Sequence, residues 1–149
     1  MRIRLTWILL AAMAALGPAA APPVPASAQP DKQALREKVC AEAAERYEKL
    51  FGKAVSEETM PVVLMYDYHF CPGDITVKPG TIVRWVNVDK RTSHSVWFRD
   101  DGKEESARLF PEEHVDIVAD MKPGLHSYLC GPHWESEGMK AELKIEPAE

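Results

Sequence analysis

Cysteine is scarce in this chain of 149 residues: there are three, an odd number, so disulfides alone cannot account for all of them. Basic residues are in deficit too, with 18 lysines and arginines against 23 acidic residues and a formal charge of −5. That balance argues against nucleic acid or an anionic lipid surface as a partner, since both attract cationic proteins. After residue 28 no stretch is apolar enough to cross a membrane. These shortages leave a small acidic domain with at least one thiol to spare.

The N-terminus reads as an export leader. Arg2 and Arg4 precede an apolar run from Leu5 to Leu16, and Ala26-Ser27-Ala28 has the small-residue form of a cleavage site. The run is too short to span a bilayer comfortably, so residues 1–28 are expected to be removed as a signal peptide rather than kept as an anchor. Cleavage leaves about 120 residues, enough for one domain with a real core. It also removes two positive charges, making the mature protein more acidic and complementary to a partner with a basic docking face. A short leader opened by arginines fits the bacterial periplasm, with no stable membrane insertion after cleavage.

Residues 29–59 read as the end of a proline-rich linker (Pro22, Pro23, Pro25, Pro30) followed by a helix. Asp31 is the candidate N-cap, and Leu35, Val39, Ala43, Tyr47 and Leu50 recur at helical spacing. Charged residues from Lys32 to Lys49 occupy the other face, and Gly52 stands where a left-handed C-terminal cap belongs. The spacing predicts an amphipathic helix over 32–51 with Cys40 at the edge of its apolar stripe. Packing of this helix on an edge or open end of the next domain is expected; a docking element for a partner is the alternative.

From Met60 onward helical periodicity gives way to short strands: 62–68, 75–78, 81–88, 95–98, 114–118, 126–130 and 140–145. Turn signals such as Pro72-Gly73-Asp74, Pro79-Gly80 and Lys122-Pro123-Gly124 separate them. Strands without helical crossovers predict a mainly β domain over 60–149, an antiparallel Greek-key β-sandwich. Val83 and Trp85 share one face of their strand, as do Tyr128 and Cys130, and at least one of these faces should be core. Residues 99–113 read as a charged surface excursion anchored by Leu109 and Phe110.

One short loop, Cys130-Gly131-Pro132-His133 through Gly138-Met139, offers a thiol, an imidazole and a thioether, and His94 supplies a second imidazole from far upstream. Two imidazoles, a thiolate and a weak thioether are the ligand set of a blue-copper electron-transfer centre. Thiolate sulfur suits Cu(I), and imidazole is acceptable to both oxidation states. If Cys130 serves as a thiolate, Cys40 and Cys71 remain, and an oxidising compartment favours their pairing. Such a bridge would stabilise the fold by roughly 3 kcal/mol in the chain-entropy model; two unpaired buried thiols are the alternative. His69 with Cys71 suggests a weak second metal pair, while His114 and His126 alternate with apolar residues and read as structural or exposed.

The run Ile75-Thr76-Val77-Lys78-Pro79-Gly80-Thr81-Ile82-Val83-Arg84-Trp85-Val86-Asn87, with His94-Ser95-Val96 and the Cys130–Met139 loop, resembles the plastocyanin/pseudoazurin group of cupredoxins. The resemblance implies one mononuclear copper, with His94, Cys130 and His133 as equatorial ligands and Met139 as axial ligand. It also implies that His94 is buried, that the edge of His133 reaches the surface through an apolar patch, and that Trp134 lies near the exit for the electron. Ser95 and the amides around Cys130 would donate to the thiolate. Two departures stand out. Five residues rather than the family's usual four separate His133 from Met139, which leaves Glu135 and Glu137 as alternative axial donors. Small cupredoxins also usually lack a leading helix.

The function expected on this basis is one-electron transfer by a monomeric, non-enzymatic carrier. Redox proteins such as a c-type cytochrome or an exported dehydrogenase are the partner class. A copper carrier that delivers its ion to another protein is the alternative, followed by an enzyme using the copper or a reactive dithiol.

Overall fold

The computed structural model describes residues 30–148, so the expected signal peptide and the prolines at 22, 23 and 25 lie outside the described residues. Helix α1 spans Pro30–Phe51. Seven strands follow: β1 Val62–Tyr66, β2 His69–Cys71, β3 Ile75–Val77, β4 Ile82–Asn87, β5 His114–Val118, β6 Gly124–Leu129 and β7 Lys140–Ile145. They form two sheets, one ordered β2-β1-β4-β5 and the other β3-β7-β6. The expected mainly β sandwich with one leading helix is present. Its pairing, however, is mixed rather than wholly antiparallel, since β1 runs parallel to β4 and β3 parallel to β7.

The pattern of side chains explains the layers. In β4, Val83 and Trp85 point into the space between the sheets, where they meet Val63, Met65, Phe70, Tyr128 and Leu143. Val86 and Val88 point the other way with Val62 and Leu64, beneath Val39, Ala43 and Tyr47 of α1. Strand β1 is therefore covered on both faces, which is why Val62-Val63-Leu64-Met65 is apolar without alternation. Cys40 of α1 is bonded to Cys71 of β2, with Cα atoms 5.2 Å apart, and this pins the helix to the sheet edge.

Several local expectations need correction. The helix begins at Pro30, so Asp31 lies within the first turn rather than before it; proline suits that first position because its missing N–H has no intrahelical acceptor there. Leu35 and Leu50 are exposed although they fall on the apolar stripe, because of the five stripe residues only Val39, Ala43 and Tyr47 are buried against the sheet. The run 62–68 is not one strand: it turns back at Asp67 and Tyr68, both at positive φ (45° and 59°), and continues as β2. Residues 95–98 make single bridges in place of a strand, Trp97 pairing with Leu129, while His94 pairs with Leu109. Leu109 anchors the excursion as expected, but Phe110 is 58% exposed and anchors nothing.

Candidate metal centre

Each ligand-bearing segment has a distinct support. Strand β6 ends at Leu129, so Cys130 is the first residue beyond the sheet. Its carbonyl accepts the amides of His133 (3.0 Å) and Trp134 (2.9 Å), and the His133 carbonyl accepts that of Glu137 (3.0 Å). These coiled turns absorb the extra residue in the loop. Gly138 then reverses the chain at φ 70°, a conformation glycine adopts without steric cost. Met139 returns beside its starting point, its carbonyl accepting the Cys130 amide at 3.1 Å.

His94 reaches the same place by another route. The fully buried Asn87, last residue of β4, donates its side-chain amide to the carbonyls of Thr92 (2.8 Å) and Leu109 (2.9 Å). That folds the intervening loop back and delivers His94 to its two-way pairing with Leu109. Three residues on, Trp97 exchanges backbone hydrogen bonds with Leu129, which ties the His94 segment to the strand that carries Cys130.

The outcome is convergence. Among the described residues, ligand atoms of His94, Cys130 and His133 form a cluster lying within 4.8 Å of one another. Nδ1 of His94 is 3.6 Å from Cys130 Sγ, and Nδ1 of His133 is 3.3 Å from it. Nitrogen and sulfur donors bonded to one ion at roughly 2.0 and 2.3 Å, about 120° apart, lie about 3.7 Å from each other, so the observed spacing fits a shared metal. Thiolate with imidazole is the donor set expected for copper.

Electrostatics at the site are uneven. Burial pushes the Cys130 thiol up, against hydrogen bonds that favour the thiolate, including the Ser95 amide 3.4 Å from Sγ. Burial, with the neighbouring His94 and Arg108, lowers the His133 pKa from its ordinary value, which favours the neutral form that can ligate. His94 is fully buried, and its other nitrogen, Nε2, lies 2.9 Å from Asp89 Oδ2. Burial pushes the Asp89 carboxyl up, but hydrogen bonds from His94 and from the Asp67 and Lys90 amides outweigh it and hold the group below its ordinary value.

The sequence-derived set is thus brought together in large part. Met139 is 1% exposed, packed in the same core cluster as Cys130. Glu135 and Glu137 are both exposed and do not join the cluster of ligand atoms. Trp134 is half-buried, with the Arg99 guanidinium 4.9 Å above its ring. The pair His69–Cys71 makes no second metal site: Cys71 is spent in the disulfide, and His69 Nδ1 lies 2.6 Å from the Asp67 carbonyl. His114 is exposed, while His126 is held by Asp101 (2.7 Å) and the Lys122 carbonyl (2.8 Å).

Four contributors escaped the sequence reading: Tyr68, Asn87, Asp89 and Glu105. Tyr68 stands edge-on to His133 with ring centroids 4.9 Å apart and to His94 at 6.4 Å. Glu105 accepts the Ser95 hydroxyl at 2.6 Å, and Ser95 Oγ in turn accepts the Gly131 amide at 2.9 Å. A Cβ on Gly131 would lie 1.9 Å from the Glu105 carboxylate, so glycine makes room for this contact. Asn87 alone had a signal, a polar residue closing an apolar strand.

Comparison with known proteins agrees with this geometry. Residues 62–146 match the copper-binding proteins of the plastocyanin/azurin family. Among solved structures, a reduced Cu(I) form of an amicyanin mutant at pH 4 superposes with a TM-score of 0.51 at 20% identity, covering 63% of this chain and 90% of that one. The Cu-containing nitrite reductase from Thermus scotoductus SA-01 superposes with a TM-score of 0.52 at 26% identity over 65% of this chain, but the match spans only 24% of that enzyme. The chain belongs to the plastocyanin/azurin family of copper-binding proteins: it is a cupredoxin with one copper ion, for which His94, Cys130 and His133 form the candidate site.

Proposed function

We propose that this protein is an exported, periplasmic one-electron carrier that cycles between larger redox proteins, a c-type cytochrome or an exported dehydrogenase being the partner class. Bound copper supplies the one-electron exchange between Cu(II) and Cu(I). The observation that carries the reading is the asymmetry of the two imidazoles: His94 is fully buried and hydrogen-bonded, whereas His133 is half-buried on a loop facing solvent. A buried, pre-formed donor set favours repeated electron exchange over release of the ion, and a single ligand edge near the surface gives the electron a short exit. Met139 would complete the set with a weak thioether donor, a reading supported by its burial and its backbone bonds to Cys130 and His133. Trp134 and Arg99 beside that exit supply an aromatic–cation pair of the kind enriched at contact hot spots.

The test is spectroscopic. Cu(II) added to the mature protein with its Cys130 thiol reduced should give an intense thiolate-to-copper visible band, absent in Cys130→Ser. That band should disappear and return through many cycles of chemical reduction and reoxidation without loss of copper to a chelator, and Trp134→Ala should slow exchange with an oxidised or reduced cytochrome c. Copper lost within a few cycles would favour delivery of the ion, and catalytic turnover of nitrite by the loaded protein would make it an enzyme. No band at all in the intact protein sinks both copper readings.

A further inference from the structure

His94 is 0% exposed, and both of its ring nitrogens are committed. Nδ1 faces Cys130 Sγ at 3.6 Å, so when that nitrogen gives its lone pair to a metal the ring proton must reside on Nε2. A buried N–H needs an acceptor, and the one it meets is the carboxylate of Asp89 at 2.9 Å. The acceptor is itself fixed. Asp89 Oδ2 also accepts the Asp67 amide (3.0 Å), Oδ1 accepts the Lys90 amide (3.1 Å), and the Asp89 amide donates to Asn87 Oδ1 (2.9 Å).

The β1–β2 turn is shaped to the same end. Asp67 and Tyr68 are both held at positive φ, which is costly for a tyrosine and persists where surroundings impose it. The turn aims the Asp67 amide at Asp89 and lays the Tyr68 ring against both imidazoles.

We propose that Asp89, set by the Asp67–Tyr68 turn, is a positioning residue for the copper: its carboxylate orients His94 and, by making that imidazole a stronger donor, favours Cu(II) over Cu(I) and holds the reduction potential down. The physical reason is charge. A carboxylate sharing the Nε2 proton pushes electron density onto Nδ1, and an oxidised ion with one more positive charge gains more from that than a reduced one. A neutral acceptor in the same place would orient the ring without this bias. The inference rests on the redox reading of the site given above.

Asp89→Asn keeps the shape and removes the charge; Asp89→Glu keeps the charge. Copper(II) and copper(I) affinities by chelator competition, the reduction potential, and zinc affinity of the metal-free protein should all be measured. In Asp89→Asn, Cu(II) and Zn(II) affinity should fall about 10–100-fold, Cu(I) affinity should fall less, and the potential should rise; Asp89→Glu should move the values back toward wild type. Equal losses of Cu(I) and Cu(II) affinity with an unchanged potential, or no change in any of the three affinities, would overturn the proposal. If the wild-type protein shows no thiolate–copper band the carrier reading fails separately, and the zinc affinities still decide whether Asp89 supports His94.

Discussion

Met139, the proposed fourth ligand, is the residue on which residue-scale chemistry is most informative. Its side chain is buried at 1% exposure and its amide bonds the His133 carbonyl at 3.3 Å, so replacement by leucine keeps volume and leaves the loop's backbone bonds intact. Leucine has no sulfur to offer Cu(II). Met139→Leu is therefore expected to bind copper through the remaining three ligands, keep an intense visible band, and show a raised reduction potential by voltammetry. An unchanged potential would remove Met139 from the coordination sphere. Residue type and spacing made the cluster of His94, Cys130 and His133 readable in advance, because metal ligands must be particular side chains. Tyr68, Asp89 and Glu105 were not readable, since their roles depend on contacts made across the fold by residue types common on any surface.

At the scale of elements, α1 is attached to the sandwich by the small interface of Val39, Ala43 and Tyr47, by Arg46, which donates to the Val88 carbonyl at 2.6 Å, and by the bond from Cys40 to Cys71. The helix reaches no farther because Leu35 and Leu50 overhang the sheet and remain in solvent. A bridge closing a loop of 31 residues contributes about 3–4 kcal/mol by the chain-entropy model. The double variant Cys40→Ser/Cys71→Ser should unfold at correspondingly lower urea concentration. Its visible copper spectrum should change little, because Cys71 belongs to the cluster under the helix and not to the ligand-bearing one. A lost copper band would instead show that the bridge holds the β1–β2 turn, and with it Tyr68, against the site. The turn itself was hidden in the sequence: Asp67-Tyr68 lacks the glycine that usually marks such a hairpin, and the flanking apolar run looked continuous because both faces of β1 are covered.

For the molecule as a whole, one titration ties stability to pH away from the copper. His126, in β6, bridges to Asp101 in the excursion and to the Lys122 carbonyl. Partial burial lowers its pKa, but these two acceptors outweigh it and leave the group raised above its ordinary 6.5. Charged His126 therefore stabilises the fold; the contribution is fully present below the ordinary value and is lost as pH rises through the raised one. Unfolding midpoints of the metal-free protein should include a component that falls over that window and is missing in His126→Gln. A profile identical in the two proteins would show that the contact is neutral to stability.

Alternation of apolar residues, turn residues and the donors His94, Cys130 and His133 was enough, without coordinates, to specify a β-sandwich preceded by a helix and a copper site assembled from distant segments, since periodicity and donor chemistry are local properties of a chain. Strand partners, the parallel pairings of β1 with β4 and β3 with β7, the second core cluster beneath the helix and the carboxylate behind His94 came only with the fold. Each of these is a relation between residues far apart in sequence, set by which packing buries the most apolar surface while giving the buried polar groups partners, and no local pattern encodes that choice.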